Sequence, residues 1–262
     1  MSSLVLKLFL TPALIGVASL AGRRWGPGVS GWLVGLPFTS GPIVLFLTLD
    51  HGAAFAAAAA AGTLAGGISQ ATFCVAYGRL ARRWHWPPAL FGSSLLFAAS
   101  TAALQHLDLP LMPLTLAVLA VLAVALRLMP ASGEAPAASL PRWDIPARMG
   151  LATAFVLLVT GLAPALGPRL TGLLAPYPLY AAILAVFAHH LQGPIPAAGV
   201  LRGLLFGLFA FAGCFFTLAA LLERGGIAVA FSAAIAVALA VQAGSLWAMQ
   251  QGGRSRPAGT RS

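Results

Sequence analysis

Charge is the property this sequence has least of. Charged residues make up 8% of its 262 residues, with 5 acidic side chains against 15 basic ones, while apolar residues make up 60%. The mean hydropathy is +0.93. A soluble domain of this size needs a much more polar surface. The composition therefore excludes a soluble globular protein and indicates an all-α polytopic membrane protein.

Acidic residues and lysines are missing from the interior of every long apolar run. A proton relay built on carboxylates is therefore excluded, and coupled transport would need histidines or ions held by backbone carbonyls. The sequence also lacks a Gly-x-Ser-x-Gly turn, a His-Glu-x-x-His pair and a phosphate-cradling glycine loop. We expect neither an enzyme nor a cofactor, and a membrane enzyme with His and Asp at its outer face is only a distant alternative.

The cysteines and the basic residues argue against two further kinds of site. Cys74 and Cys214 lie inside apolar runs with no partner at metal-ligand spacing, so we interpret them as small core residues. The basic residues form no stripe with interleaved aromatics, the pattern of a nucleic-acid surface. We expect no nucleic-acid partner, and a lipid bilayer as the surroundings.

Polar residues at the predicted helix ends include types that bind metals. On the outer side these residues are Asp50, His51, His106, Asp108 and Glu223. None has the spacing of a ligand set, so solvated helix ends and no metal are expected. His189-His190, at the predicted inner interface, could titrate near neutral pH or be satisfied by headgroups and water.

Nine apolar runs are each near the roughly 20 residues that a membrane helix needs. They cover about 4–21, 29–50, 53–78, 87–105, 110–129, 147–166, 170–190, 196–222 and 226–249. Arg23-Arg24 follows the first run, whereas a signal peptide carries its positive charge before the apolar core. We therefore expect a retained helix with its N-terminus outside, and cleavage is the minor alternative.

Basic residues support this count, because cytoplasmic loops carry the excess of arginine and lysine. Nine spans leave Lys7, Arg169 and Arg224 outside. The inner side receives Arg23, Arg24, Arg79, Arg82, Arg83, Arg127, Arg142, Arg148, Arg202, Arg254, Arg256 and Arg261. The predicted C-terminus is therefore cytoplasmic, and residues 250–262 form a disordered basic tail.

An internal repeat relates the two halves of the chain. Gly26-Pro27 with Ser30-Gly31 recurs as Gly167-Pro168 with Thr171-Gly172. Five spans precede the second copy, so the copies are inverted. The predicted organisation is a first membrane repeat at 1–109, an adaptor helix at 110–129, a cytoplasmic linker at 130–146 and a second, inverted repeat of four helices at 147–249.

Each repeat contains a proline-bearing break within an apolar run. Proline removes a backbone donor, and lipid cannot satisfy the groups that are freed. Paired broken helices near the midplane form the sites of secondary transporters, although a mere packing kink is an open alternative. The predicted substrate-binding residues are Pro37, Thr39, Ser40 and Pro42 in the first break, and Pro176, Tyr177, Pro178 and Tyr180 in the second.

Small residues predict close helix packing. We expect the third and eighth helices to meet at the centre of the bundle through Gly62, Gly66, Gly199, Gly203 and Gly207. We expect interhelical hydrogen bonds from the uncharged polar residues at membrane depth, which are Gln70, Thr72, Cys74, Cys214, Thr217 and Gln242.

Each four-helix unit resembles the small GlpM-like inner-membrane proteins. The resemblance rests on a basic residue that opens the first helix (Lys7, Arg148), on the small-Gly pairs Ser30-Gly31 and Thr171-Gly172, and on the proline-aromatic breaks Pro37-Phe38 and Pro176-Tyr177. It covers roughly residues 4–105 and 147–249. It implies a bacterial inner-membrane location and a compact bundle, here as two units fused in inverted orientation, and it supplies no activity to carry over.

The leading functional hypothesis is a small permease or exporter for a small polar or anionic solute. The alternative is a non-transporting membrane partner or assembly factor of an envelope or biosynthetic complex, acting with another membrane protein or as a homodimer. A polar midplane cavity would favour the first, and a filled core with a lipid-facing groove of small residues the second.

Overall fold

In the computed structural model, the described residues are 2–37, 40–106, 109–130, 143–154 and 177–254. They form an all-helical protein, and no strand occurs within these ranges. Four of its helical segments are long and apolar enough to cross a membrane: Ala53–Leu80, Trp86–Leu104, Leu111–Leu128 and Pro194–Leu246. The nine spans and the inversion of the second repeat stay predictions.

The connections that lie within the described ranges are short. In chain order the helices are α1 (Ser2–Trp25), α2 (Pro27–Val34), α3 (Ser40–His51), α4 (Ala53–Leu80), α5 (Trp86–Leu104), α6 (Leu111–Leu128), α7 (residues 144–154 of which are described), α8 (Leu179–Gln192) and α9 (Pro194–Arg254). Helix α7 begins three residues before the predicted start of the second repeat.

Within the described ranges, four glycines turn the chain between consecutive helical segments. Gly26, Gly52, Gly193 and Gly226 have φ values of 97°, 88°, 95° and 70°, each with ψ near 180°. Only glycine adopts this conformation without severe strain, because it has no Cβ. A single residue therefore suffices for each corner. The corner at Gly226 divides α9 into a first arm, 194–225, and a second arm, 227–254, as the predicted spans require.

The predicted break in the second span is present. Helix α2 ends at Val34 and α3 begins at Ser40. The chain leaves α2 through a turn at Gly35 and Leu36, and Pro37 cannot donate the backbone hydrogen bond that would continue the helix. The α2–α3 pair is thus a helix broken after its first 8 residues, which is about 12 Å from its start.

Helices α4 and α9 form the centre of the bundle and share its most extensive contact. Their fully buried side chains include Phe73 and Tyr77 on α4 and Leu205 and Phe215 on α9. Helices α5, α6 and α3 pack around α4, and α2 and α8 pack around α9. The predicted central position of the third and eighth helices agrees with this arrangement.

Large apolar side chains also cover the outside of the bundle. Phe91 is 68% exposed, Leu116 61% and Leu239 59%, and they lie on three different helices. Soluble monomers rarely expose apolar surface over several elements in this way. The described surface is compatible with a hydrocarbon environment.

Candidate functional site at the broken helix

Helix α2 lies directly against the first arm of α9, with backbone touching backbone. A Cβ added to Gly31 would overlap the carbonyl oxygen of Val200, and one added to Gly203 would overlap that of Gly28. At the end of α2, a Cβ on Gly35 would lie 2.6 Å from the Cα of Gly207. The residue numbers of the contacting positions increase along both helices, so the two helices run parallel. Only glycine permits backbones to approach this closely.

This contact corrects the predicted partner of the α9 glycines. Gly203 and Gly207 were expected to meet Gly62 and Gly66 of α4, but their neighbours are glycines of α2. A Cβ on Gly199 would meet Pro27 at 3.6 Å, an ordinary contact. Gly66 is buried, whereas Gly62 is exposed and a Cβ there would meet nothing within 4 Å. Equal glycine spacing does not specify which helix faces the glycines.

A polar network joins α2 to the second arm of α9. The amide Nε2 of Gln242 donates to the carbonyl oxygen of Trp32 at 2.9 Å. The indole Nε1 of Trp32 donates to Ser245 Oγ at 2.9 Å, and Ser245 Oγ donates to the carbonyl oxygen of Gln242 at 2.9 Å. Trp32 belongs to the last turn of α2, where helix carbonyls lose their partners. The Trp32 carbonyl oxygen also accepts from the N–H of Gly35 at 3.3 Å, so the network adds a second donor to a carbonyl at the broken end.

The described residues of the first predicted break are half-buried. They are Pro37 and Ser40, and the N–H of Gly41 donates to the carbonyl oxygen of Pro37 at 2.9 Å. Thr39 lies outside the described residues, as does the side chain of Pro42. A carbonyl within the break therefore accepts a hydrogen bond from the first turn of α3.

The second predicted break is described from Tyr177 onwards, and Pro176 lies outside this range. The Tyr177 hydroxyl is 2.9 Å from Ser94 Oγ, and its ring packs edge-on against Phe73 and Phe97 at 5.6 and 5.4 Å between centroids. Ser94 lies about 12 Å along α5 from Trp86, at 1.5 Å per residue. Tyr177 is thus anchored between α4 and α5, near the middle of α5.

Two other predicted residues of the second break lie against the core. Pro178 is buried and precedes α8 directly. Tyr180 is half-buried and packs against the hydrophobic core. The hydrogen bond of Tyr177 joins the residues just before α8 to α5, so this tyrosine contributes to packing.

A buried ion cluster that the sequence analysis missed connects α1 to α7. Arg148 Nε donates to Asp144 Oδ1 at 2.8 Å, and Arg23 lies 3.4 Å from Asp144 Oδ2. The Asp144 side chain is 1% exposed. The Arg148 guanidinium also lies over the Phe187 ring, 5.1 Å from its centroid. Asp144 had been assigned to the linker, although its i,i+4 spacing to Arg148 was a usable signal.

The histidine pair at the end of α8 contacts other helices. His189 Nδ1 is 3.3 Å from the Tyr77 hydroxyl, and the His190 ring lies edge-on to Trp86 at 6.4 Å. Both contacts join α8 to the ends of α4 and α5 that carry arginines. Interfacial solvation by headgroups and water is therefore not the whole environment of these side chains.

Two threonines expected to bond between helices bond within their own helix instead. Thr72 and Thr217 donate to the carbonyls of Ile68 and Gly213. An i−4 carbonyl is always within reach of a helical threonine, so the local bond prevails. The interhelical hydroxyl bonds in this region come from other residues, Ser69, Ser100 and Thr101.

The remaining predicted polar residues differ in burial. Gln70, Cys74 and Cys214 are buried. His51, His106 and Glu223 are exposed, while Asp108 and the side chain of Asp50 lie outside the described residues. Within the described part of the chain, no group of three His, Cys, Asp or Glu residues could hold a metal ion.

Comparison with known proteins identifies no relative. The chain matches no protein-family model, no curated protein and no solved structure. The GlpM-like resemblance stays a prediction, and the functional argument rests on the geometry of the bundle.

Proposed function

We propose that the protein is a small membrane permease or exporter for a small polar or anionic solute, with its site at the broken helices. Its two halves are inverted repeats in the bacterial inner membrane. The observation that carries the proposal is the α2–α3 break, which is pressed by backbone contact against α9 of the other half. Irregular backbone at membrane depth is tolerated where it is covered by protein or lines a cavity.

Parallels between the two halves support the internal repeat. Helix α3 has 12 residues and α8 has 14. Each is followed by a single left-handed glycine, Gly52 or Gly193, and then by one of the two central helices. The same succession in both halves is what a duplicated unit would leave.

The distribution of side chains along the bundle supports the proposed orientation. Contacts such as Tyr77 with His189 and Arg202 with the carbonyl of Leu126 bring the arginine-bearing helix ends to one end of the bundle. Trp25, Trp84 and Trp143 are exposed beside arginines or the ion cluster at these ends. Tryptophan is enriched at membrane interfaces and arginine on the cytoplasmic side, which agrees with a cytoplasmic arginine end.

A second candidate function is a non-transporting partner or assembly factor. The observation that favours it is the exposed face of small residues on α4, formed by Ala54, Ala58 and Gly62 at four-residue spacing. Another transmembrane helix could approach closely there, from a second copy or a different protein. The packed position of Tyr177 also agrees with this candidate, since a filled core needs no solute.

Uptake into proteoliposomes tests the permease. Purified protein is reconstituted, and entry of glycerol, methylammonium, acetate and phosphate is compared with that into protein-free vesicles. We expect entry of at least one solute, and a reduction of about fivefold in Ser40→Ala or Tyr180→Phe, from the loss of about 1 kcal/mol per hydrogen bond. Ser232→Ala, on the exposed face of the second arm, is the matched control.

Two results would argue against the permease. Uptake of every solute at the rate of empty vesicles would favour the partner function, as would unchanged uptake in both site variants. In that case, crosslinking from Ala58→Cys in native membranes would identify the neighbour of the α4 face.

A further inference from the structure

The surroundings of α2 contain unsatisfied polar groups. Among the described residues, two buried side-chain atoms have no hydrogen-bond partner: Ser19 Oγ and Gln242 Oε1. Ser19 lies on α1 and Gln242 on the second arm of α9, and both helices pack against α2. A serine hydroxyl can turn towards a carbonyl of its own helix. The amide oxygen of Gln242 can only accept, so it needs a donor from elsewhere.

The orientation of the Gln242 side chain is fixed by the hydrogen bond of its amide nitrogen. Nε2 donates to the carbonyl oxygen of Trp32, which sets Oε1 as the unpaired atom, and the residue is 3% exposed. Ser245 Oγ already accepts from the Trp32 indole and donates to the Gln242 carbonyl, so its proton is engaged. The missing partner is therefore not the neighbouring hydroxyl.

The charge around this oxygen favours a cationic donor. Trp32 lies in the last turn of α2, whose carbonyls carry the partial negative charge of the helix dipole, and its own carbonyl oxygen accepts from Gly35 N–H and from Gln242 Nε2. The amide oxygen adds a second partial negative charge. A carboxylate or phosphate would bring acceptor against acceptor, whereas an N–H group with a positive charge would donate to the unpaired amide oxygen and be attracted by the negative end of the α2 dipole.

We infer that Gln242 and the C-terminal end of α2 form a subsite for the protonated amine of a small solute. The inference rests on the proposed permease and narrows its substrate from polar or anionic solutes to amines. The subsite lies where the second arm of α9 meets the broken helix of the first half, which is the interface at which inverted-repeat transporters bind their substrates.

Three small ions test separately whether the ligand needs an N–H donor and whether it needs a positive charge. Methylammonium carries N–H donors, tetramethylammonium has the same charge without a donor, and acetate is an acceptor. The thermal unfolding of the purified protein in detergent is followed as each is added as its chloride or sodium salt. We expect only methylammonium to raise the unfolding temperature beyond the effect of sodium chloride, because a ligand of the folded state stabilises it.

Two variants remove hydrogen bonds of the Trp32 network, two bonds in Ser245→Ala and one in Gln242→Met, but only Gln242→Met removes the acceptor. Ser245→Ala should keep the response to methylammonium, whereas Gln242→Met should weaken its binding about tenfold or more, the loss expected for a hydrogen bond to a charged group. Gln242→Glu retains an acceptor and should keep the response, which guards against a misfolded methionine variant.

The inference is overturned if tetramethylammonium or acetate stabilises the wild type as well as methylammonium does. It is also overturned if methylammonium has no effect on the wild type, or an equal effect on Gln242→Met. Binding of methylammonium without its uptake by proteoliposomes would contradict the permease and leave the amine subsite in place. Uptake of another solute without methylammonium binding would contradict the amine subsite and leave the permease in place.

Discussion

The glycine pairs of α4 and α9 have the same spacing and different surroundings. Gly203 and Gly207 are covered by α2, so closely that a methyl group on Gly203 would overlap the carbonyl of Gly28. Gly62, at the corresponding place in α4, has open space beyond its Cα. The spacing permits a close approach but does not provide a partner. What distinguishes α9 is the short, broken helix that ends beside its glycines.

The same lesson applies to the acidic residues. Asp144 is buried between Arg148 and Arg23, whereas Glu223 is exposed at the corner of α9. In the structure both acids lie near helix ends, Asp144 at the start of α7 and Glu223 near the end of the first arm of α9. The difference arises from what the neighbouring helices bring to each position, which a single sequence does not display.

The largest expected effect is that of Gly203→Leu. A leucine would force α2 away from α9 and expose the Trp32 network, so we expect a loss of more than about 3 kcal/mol, or no folded protein. Unfolding of the purified variant by heat or denaturant measures it.

The matched change Gly62→Leu should alter the stability of the isolated protein by less than about 1 kcal/mol, because glycine is the poorer helix former and nothing opposes the side chain. If both leucine variants lost the same stability, Gly62 would have a helix against it too, and its contrast with Gly203 would fail.

A smaller effect is expected from Asp144→Asn. Removing the carboxylate leaves Arg148 buried without its counter-charge, and breaking a buried pair costs about 3 kcal/mol, the lower end of the usual range since Arg23 is partly exposed. Glu223→Gln, at the exposed acid, should leave the unfolding temperature unchanged. Equal effects of the two variants would show that the ion cluster does not stabilise the fold.

The parts of this fold that depend on neighbouring residues in the sequence could be predicted. Long apolar runs predicted helices, and Pro37 predicted the break that lies between Val34 and Ser40. The corner at Gly226 fell between two predicted spans. Each of these features depends on residues adjacent in the sequence, so the sequence pattern is sufficient.

Partners across the bundle could not be predicted in the same way. The contact of Gly203 with Gly28 and that of Asp144 with Arg23 depend on which faces the connections bring together. Gln242 was recognised as a polar residue at membrane depth, yet its unpaired oxygen became visible only through the Trp32 network. The sequence thus predicted the broken helix of the candidate site, whereas the unpaired acceptor could be identified only from the packing of the helices.

The central claim is that the broken helix is held between the two halves by the contact of α2 with α9. A double-mutant cycle of Gly31→Ala and Gly203→Ala, measured by denaturant unfolding in detergent, tests it directly. Each alanine alone should cost about 1–3 kcal/mol. Both force the same two backbones apart, so the double variant should lose less than the sum by at least about 0.5 kcal/mol. Strictly additive losses would mean that the two glycines do not share a contact, and would contradict the account.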